Sequence, residues 1–369
     1  MSWLDEHRSS EQAAISAGIA KHNGDHVLAL ELFRVAAAHE QAALERLDQD
    51  KTRTRAITAV SAVSLWYKAR DYCRAENLAI SVLAGPDTPE FARNELRALV
   101  QAIWTENAKA QSGVEFLPGQ VTVSVKGGEV VTGGAPLDLI VDKVQTIQAM
   151  FYRTIEYLSG RVHRRRGKPS RDILEACRPW LFQTAPGSYQ FAVAIQTSNQ
   201  LDLFRAKIEP EQVAERFLQI VNASSVADQE QLKTLVPEES YRTTFVKLAR
   251  NLAPDGKSFE SMEFRVSGDR SPIEMGMEAR QNIRKYLRET KPLKREPESV
   301  SIEFKGILRA LHLDEDWLEV IVDGETRRVV GLEDAVDDVI GPMVNREVVV
   351  RAFSWTNGKF TYDDMEPAE

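Results

Sequence analysis

The 369-residue chain has only two cysteines, Cys73 and Cys177, which excludes a disulfide framework and any metal site built on several thiolates. No apolar run approaches the length of a membrane span, so no membrane partner is expected. The first residues, MSWLDEHRSSEQ, lack the basic start and apolar centre of a signal peptide, and a cytoplasmic protein is expected. Catalytic and phosphate-binding motifs are equally scarce. There is no GxGxxG. NLAPDGKS ends like a Walker A loop in Gly256, Lys257 and Ser258, but Asn251 stands where the first glycine belongs. A helix is expected before it and a strand after, the reverse of what aims amides at phosphates. Ser188 in PGSYQF lacks the second glycine of a nucleophile elbow. HLDEDW sets His312, Asp314 and Asp316 on alternate positions, a pattern open to a divalent ion but simpler as a hairpin end, and zinc spacings do not occur. Cys177, between Ala176 and Trp180, reads as a core cysteine. No catalytic, cofactor-binding or metal-binding residue is therefore expected.

What the chain does have is an uneven distribution of charge. With 43% apolar and 28% charged residues it is a globular composition with formal net charge −8. Residues 1–110 carry 13 basic against 15 acidic side chains, residues 111–295 carry 27 against 22, and residues 296–369 carry 7 against 18. Only the middle segment would attract an anion at long range.

The hydrophobic pattern changes at the same places, predicting a multidomain α+β protein of three domains. Residues 1–110 are helical throughout, with alanine-rich stripes and no alternation of period two. Two units, NGDHVLALELFRVAAAHEQAALERL and ARDYCRAENLAISVLAG, share a polar turn, an Asp, and Ala or Leu at helical spacing. In the first, Gly24, Asp25, His26, Ala29, Phe33 and Ala36 fit a glycine turn and a second helix of small residues. In the second, Asp71, Tyr72, Ala75 and Val82 follow, with Arg70 at the turn glycine and Ala79 at the aromatic position. These residues resemble the tetratricopeptide repeat, although the turns lie 46 residues apart, against about 34 in the family, and its Trp and Pro landmarks are missing. The resemblance covers under a third of the chain and implies TPR-like helical hairpins that bind a protein partner. An ordinary alanine-rich bundle is the alternative. PDTPEFARNELRALVQAIW, with Asp87 or Thr88 as a cap, is expected to close the stack.

Residues 112–290 read as a central α+β domain. GQVTVSVKGGEVVTGG alternates and turns on Gly127 and Gly128 as a hairpin. Leu137, Ile140, Val144, Ile147, Phe151, Ile155 and Leu158 mark a long amphipathic helix. RDILEACRPWLF is predicted helical and GSYQFAVAIQ extended, with helices at PEQVAERFLQIV, EESYRTTFVKLARNL and EARQNIRKYLRE and a strand at SFESMEFRVSG. RETKPLKREPES, residues 288–299, reads as a linker. Residues 299–369 then show about five strands with a helix-like piece, LEDAVDDVIG, between the third and fourth, which predicts a small acidic β-barrel, OB-like or SH3-like. Phe304, Trp317, Phe353, Trp355, Phe360 and Tyr362 of this barrel offer base-stacking surfaces, but its charge opposes that use.

The strongest local feature is GRVHRRRGKPSR at 160–171. Gly160 and Gly167 enclose six residues, two too many for a phosphate loop, and Pro169 follows Lys168. Bounded by glycines and proline, it is a loop. Arg161, His163, Arg164, Arg165, Arg166, Lys168 and Arg171 form a candidate surface for nucleic acid or an acidic partner, or a basic face for solvent or the chain's own barrel. Six phosphate contacts by this loop would give a log–log salt slope of about −5. The leading expectation is a non-enzymatic scaffold or adaptor. The alternatives are a nucleic-acid-associated regulator or bacterial defence component using the loop, and an enzyme with an unrecognised site in the central domain.

Overall fold

The protein is mixed helix and sheet. The computed structural model describes residues 2–114, 116, 120–131, 133–182, 189–196, 211–266, 272–290, 299–332, 336–356 and 358–368. The core of the linker at 291–298, and Ser188, lie outside the described residues. The chain divides into two compact units, Met1–Val114 with Phe182–Ala192, and Glu115–Leu181 with Val193–Glu369. Among the described residues no helix is long and apolar enough to cross a membrane.

The first unit contains α1 (Trp3–His22), α2 (His26–Arg46), α3 (Thr52–Lys68), α4 (Tyr72–Leu83) and α5 (Glu90–Gln111). Ser2 caps α1 in a reciprocal box with Asp5. The α1–α2 and α3–α4 turns share one geometry. Gly24 and Arg70 both take positive φ, 83° and 58°, and the next residue, Asp25 or Asp71, donates its amide five residues back, to Ala20 or Trp66. The same aspartate then caps the following helix, Asp25 accepting from Leu28 N at 3.1 Å and Asp71 from Arg74 N at 3.2 Å. Arg70 thus holds a conformation that favours glycine, which explains why the turn is hard to see in the sequence. Small residues permit close helix approach: Ala37, Ala75 and Ala79 pack with Val63, Trp66 and Leu96 in one buried cluster. The α5 N-terminus falls at Pro89 and has no side-chain cap, because Thr88 Oγ1 donates instead to Val82 O at 2.7 Å.

After α5 the chain forms β1 (Val121–Lys126), α6 (Leu137–Leu158), α7 (Arg171–Ala176), β2 (Pro179–Phe182) and β3 (Tyr189–Ile195), of which Phe182 and Tyr189–Ala192 belong to the first unit. It continues with α8 (Glu211–Ser225), α9 (Gln229–Leu235), α10 (Glu239–Leu252), β4 (Ser261–Val266), β5 (Ile273–Met275) and α11 (Glu278–Thr290). The strand order is β2-β3-β1-β4-β5. Two expectations are corrected. The predicted helix at 171–182 stops at Ala176, because Pro179 cannot continue it, and the remainder becomes β2. The predicted hairpin at Gly127–Gly128 is reduced to a tight turn, Val130 N donating to Gly127 O at 3.1 Å, with no second strand among the described residues. β1 pairs antiparallel with β4, Val123 opposite Phe264, while the second arm makes only isolated bridges and Glu129 N donates to Ser258 O at 3.0 Å. Gly128, φ 63°, lies so close to the turn at Lys257–Ser258 that a Cβ would sit 2.5 Å from Lys257 O. α6 places Phe151 face to face with Phe217 of α8, centroids 4.3 Å apart, and Phe217 meets Phe264 edge-on.

The last five strands are β6 (Ser299–His312), β7 (Trp317–Val322), β8 (Glu325–Val330), β9 (Glu347–Trp355) and β10 (Phe360–Pro367). Their pairings run β10-β8-β7-β6-β9, and β10 also pairs with β9, so the order returns on itself. The β8–β10 pairing is parallel and the others antiparallel. One π-helical turn, Val336–Ile340, leads into a 3-10 turn, Gly341–Met343, between β8 and β9. Alternate β7 residues Leu318, Val320 and Val322 are buried, as period two requires.

Candidate functional site

The basic loop begins where α6 ends. Gly160, φ 64°, terminates the helix, and Arg161 N returns to Glu156 O at 3.0 Å. From there the chain carries its guanidinium groups onto the β6–β7 turn and the β8–β9 connection. Arg164 donates from Nε to Glu156 at 2.9 Å and from a terminal nitrogen to Asp338 at 3.1 Å. Arg165 pairs with Asp316 at 2.9 Å and donates to Leu332 O, and its own carbonyl accepts from Val336 N at 3.1 Å. Arg166 also bonds Asp316, and Gly167 N donates to Asp337 at 2.7 Å.

Beneath these contacts lies Arg153 of α6, 0% exposed. It donates to Asp338 from Nε at 2.7 Å and to the Arg164 carbonyl from a terminal nitrogen at 2.5 Å. Asp338 is therefore shared by a helix arginine and a loop arginine, both charge-assisted bonds. Arg153 was not singled out from the sequence. It lies on the side of α6 away from the apolar stripe, where a charged residue is expected to face solvent, and its partner lies 185 residues away, so no spacing identifies it.

The seven predicted residues thus separate. Arg164, Arg165 and Arg166 meet the barrel's acidic turns. Arg161 pairs instead with Asp172 at 2.6 Å. His163 Nε2 lies 2.9 Å from Thr244 Oγ1 of α10, hydrogen-bonded to it, and sits edge-on to the Tyr241 ring. Lys168 is exposed with no partner among the described residues. Arg171, 90% exposed, pairs with Glu175, one helical turn on, and with no other carboxylate among the described residues.

The other weighed features resolve chemically. Asp255 Oδ1 accepts from the amides of Lys257, Ser258 and Phe259, so the turn that imitates a Walker A tail directs those amides onto its own carboxylate. Burial would raise the Asp255 carboxyl, but Ser258 and these amides hold it below its ordinary value. His312 Nδ1 accepts from Glu315 N at 3.0 Å and its ring stacks on Trp317, while Asp316 is taken by the loop arginines. Among the described residues no group of three or more His, Cys, Asp or Glu side chains is placed to hold a metal. Cys177 is buried, and burial with Asp172 nearby pushes its thiol up to about 12, which makes it a poor nucleophile. Of the barrel aromatics, Tyr362 is buried beside Lys247, and Phe304 packs on Phe360 beneath Arg327.

A second contact joins α10 to the barrel. Arg250 NH1 and NH2 bond Asp364 at 2.5 and 3.2 Å, NH2 also donates to Met365 O at 2.5 Å, and Lys247 reaches Asp364 at 2.9 Å. Arg284 of α11 donates to Glu366 at 2.9 Å.

No protein-family model matches the chain, and neither a curated protein nor a solved structure matches it.

Proposed function

We propose that this is a non-enzymatic, cytosolic interaction protein whose TPR-like helical hairpins, residues 1–110, bind a protein partner, and whose basic loop is an internal clasp. The observation that carries this reading is the pairing of Arg164, Arg165 and Arg166 with Asp316 and Asp338 of the same chain. The excess of negative charge on residues 296–369 is met by the only net-positive segment. The shared turn geometry at Gly24 and Arg70 supports a repeated hairpin, despite its irregular length. Exposed apolar side chains on those helices, Ile15, Ile19, Val27 and Val35 among them, supply surface for a partner. The barrel is OB-like rather than SH3-like in this reading, because its fourth and fifth strands exchange places in Greek-key fashion and a helical turn precedes the fourth.

Nucleic-acid binding by the loop is the competing use. Once the loop arginines are paired with Asp316, Asp338 and Asp172, Lys168 and Arg171 are the cations that remain most available, and two phosphate contacts give a salt slope of only about −2. Binding of the full-length protein to duplex and single-stranded DNA is measured as salt is raised. Weak binding, with a slope no steeper than about −2, is expected. A slope near −5 that disappears when Arg164, Arg165 and Arg166 are all changed to Ala would overturn the clasp.

A further inference from the structure

Besides the loop, the second unit has another concentration of cations, on α11 and the adjoining strands. The sequence hides it, because Arg284, Lys285 and Arg288 alternate with the buried Ile283, Tyr286 and Leu287. On the helix, Gln281, Arg284, Lys285 and Arg288 share one face, which together with Glu289, 3.9 Å from Lys285, lines an open cleft of ≈ 440 Å³. Arg284 and Arg288 also line a smaller cavity of ≈ 20 Å³, together with Arg250 and Arg351. That space holds about one water-sized group.

Four guanidinium groups converge there: Arg284 is engaged, while Arg250, Arg351 and Arg288 keep donors without an acceptor among the described residues. Three carboxylates line the cavity as well: Asp364 is shared by Arg250 and Lys247, Glu366 accepts from Arg284, and Glu303 stands 3.9 Å from Arg288. Arg250 is 1% exposed, yet among the described residues its Nε has no hydrogen-bond partner, the nearest Glu366 oxygen standing 3.6 Å away. Arg351 bonds Asp363 through Nε, leaving its terminal nitrogens without an acceptor among the described residues. Arg288 makes no hydrogen bond among them, and its nearest carboxylate, Glu303, is 3.9 Å away. A buried donor without an acceptor is costly, and planar guanidinium forks match the spacing of phosphate oxygens.

We propose that this cavity and cleft bind a phosphate group. One oxygen enters the cavity beside Arg250 and Arg351, and the remainder of the group lies in the cleft between Arg284 and Arg288. Inorganic phosphate and a ligand carrying a phosphomonoester share this chemistry. The site is independent of the loop clasp and of the partner assigned to the helical hairpins.

The test is calorimetric titration of the full-length protein at fixed ionic strength with inorganic phosphate, and separately with a nucleoside monophosphate, using chloride as the control anion. Saturable binding of one equivalent is expected, weakened about tenfold or more in Arg288→Ala and abolished in Arg288→Glu. Arg288 is exposed, so both variants should unfold at the same urea midpoint as the native protein without phosphate. Equal affinity for the two probes restricts recognition to the phosphate, and tighter nucleotide binding extends it along the cleft; both support the site. No heat above the chloride control, or binding unchanged in Arg288→Glu, overturns it.

Discussion

Arg250 and Asp364 form an ion pair with almost no access to water, and its sensitivity to substitution follows from that burial. Burial alone would raise the Asp364 carboxyl, yet Arg250 and Lys247 hold it well below the ordinary carboxylate value. Asp364→Asn leaves two buried cations without their counter-charge and should cost about 3–5 kcal/mol in urea unfolding. Because the folded value is depressed, the contribution of Asp364 is fully present above the unfolded value and is lost as pH falls through the folded one. The native–variant difference should therefore hold steady from neutral pH to about pH 5 and narrow below about pH 4. Cysteine offers a second test at this scale. Cys73 is exposed and Cys177 buried with a raised thiol, so one thiol per chain should react with a maleimide at neutral pH and the second only after unfolding. Rapid native labelling of both would contradict the core placement of Cys177.

At the scale of the element, local pattern predicted most helices and the barrel strands, and failed where distant backbone decided the outcome. The α6 stripe from Leu137 to Leu158 and the alternation of β7 are period signals that need no partner. The GQVTVSVKGGEVVTGG alternation is an equally strong local signal, but β1 finds β4 rather than its neighbour. What the sequence could not reveal is that Gly128, besides its place in the turn closed by Gly127 and Val130, serves close approach to the Lys257–Ser258 backbone. Gly128→Ala should accordingly cost about 1–3 kcal/mol, combining a strained φ with a backbone clash. Gly167→Ala, also at positive φ but with open space around the added carbon, should cost only about 1 kcal/mol. Equal losses in thermal or urea unfolding would remove the distinction.

At the scale of the whole molecule, the charge asymmetry was legible before any contact was known. A net-positive middle and a strongly negative end in one chain are complementary, and the loop from Arg161 to Arg171 was visible as the densest positive feature. Its partners were not visible, because Asp316, Asp337 and Asp338 lie 150 or more residues away and acidic turns are common. Arg153 was hidden for a further reason: on the side of α6 away from its apolar stripe an arginine reads as solvent-facing, and its burial is recognised only once its carboxylate is placed. The central claim is that the loop is held by the barrel of its own chain. Arg164 and Asp338, both largely buried, are the pair that reports on it. A double-mutant cycle of Arg164→Ala and Asp338→Ala in urea unfolding should give a coupling of roughly 1–3 kcal/mol. Losses that add to within about 0.5 kcal/mol would mean that the two side chains do not interact in solution, and would contradict the clasp.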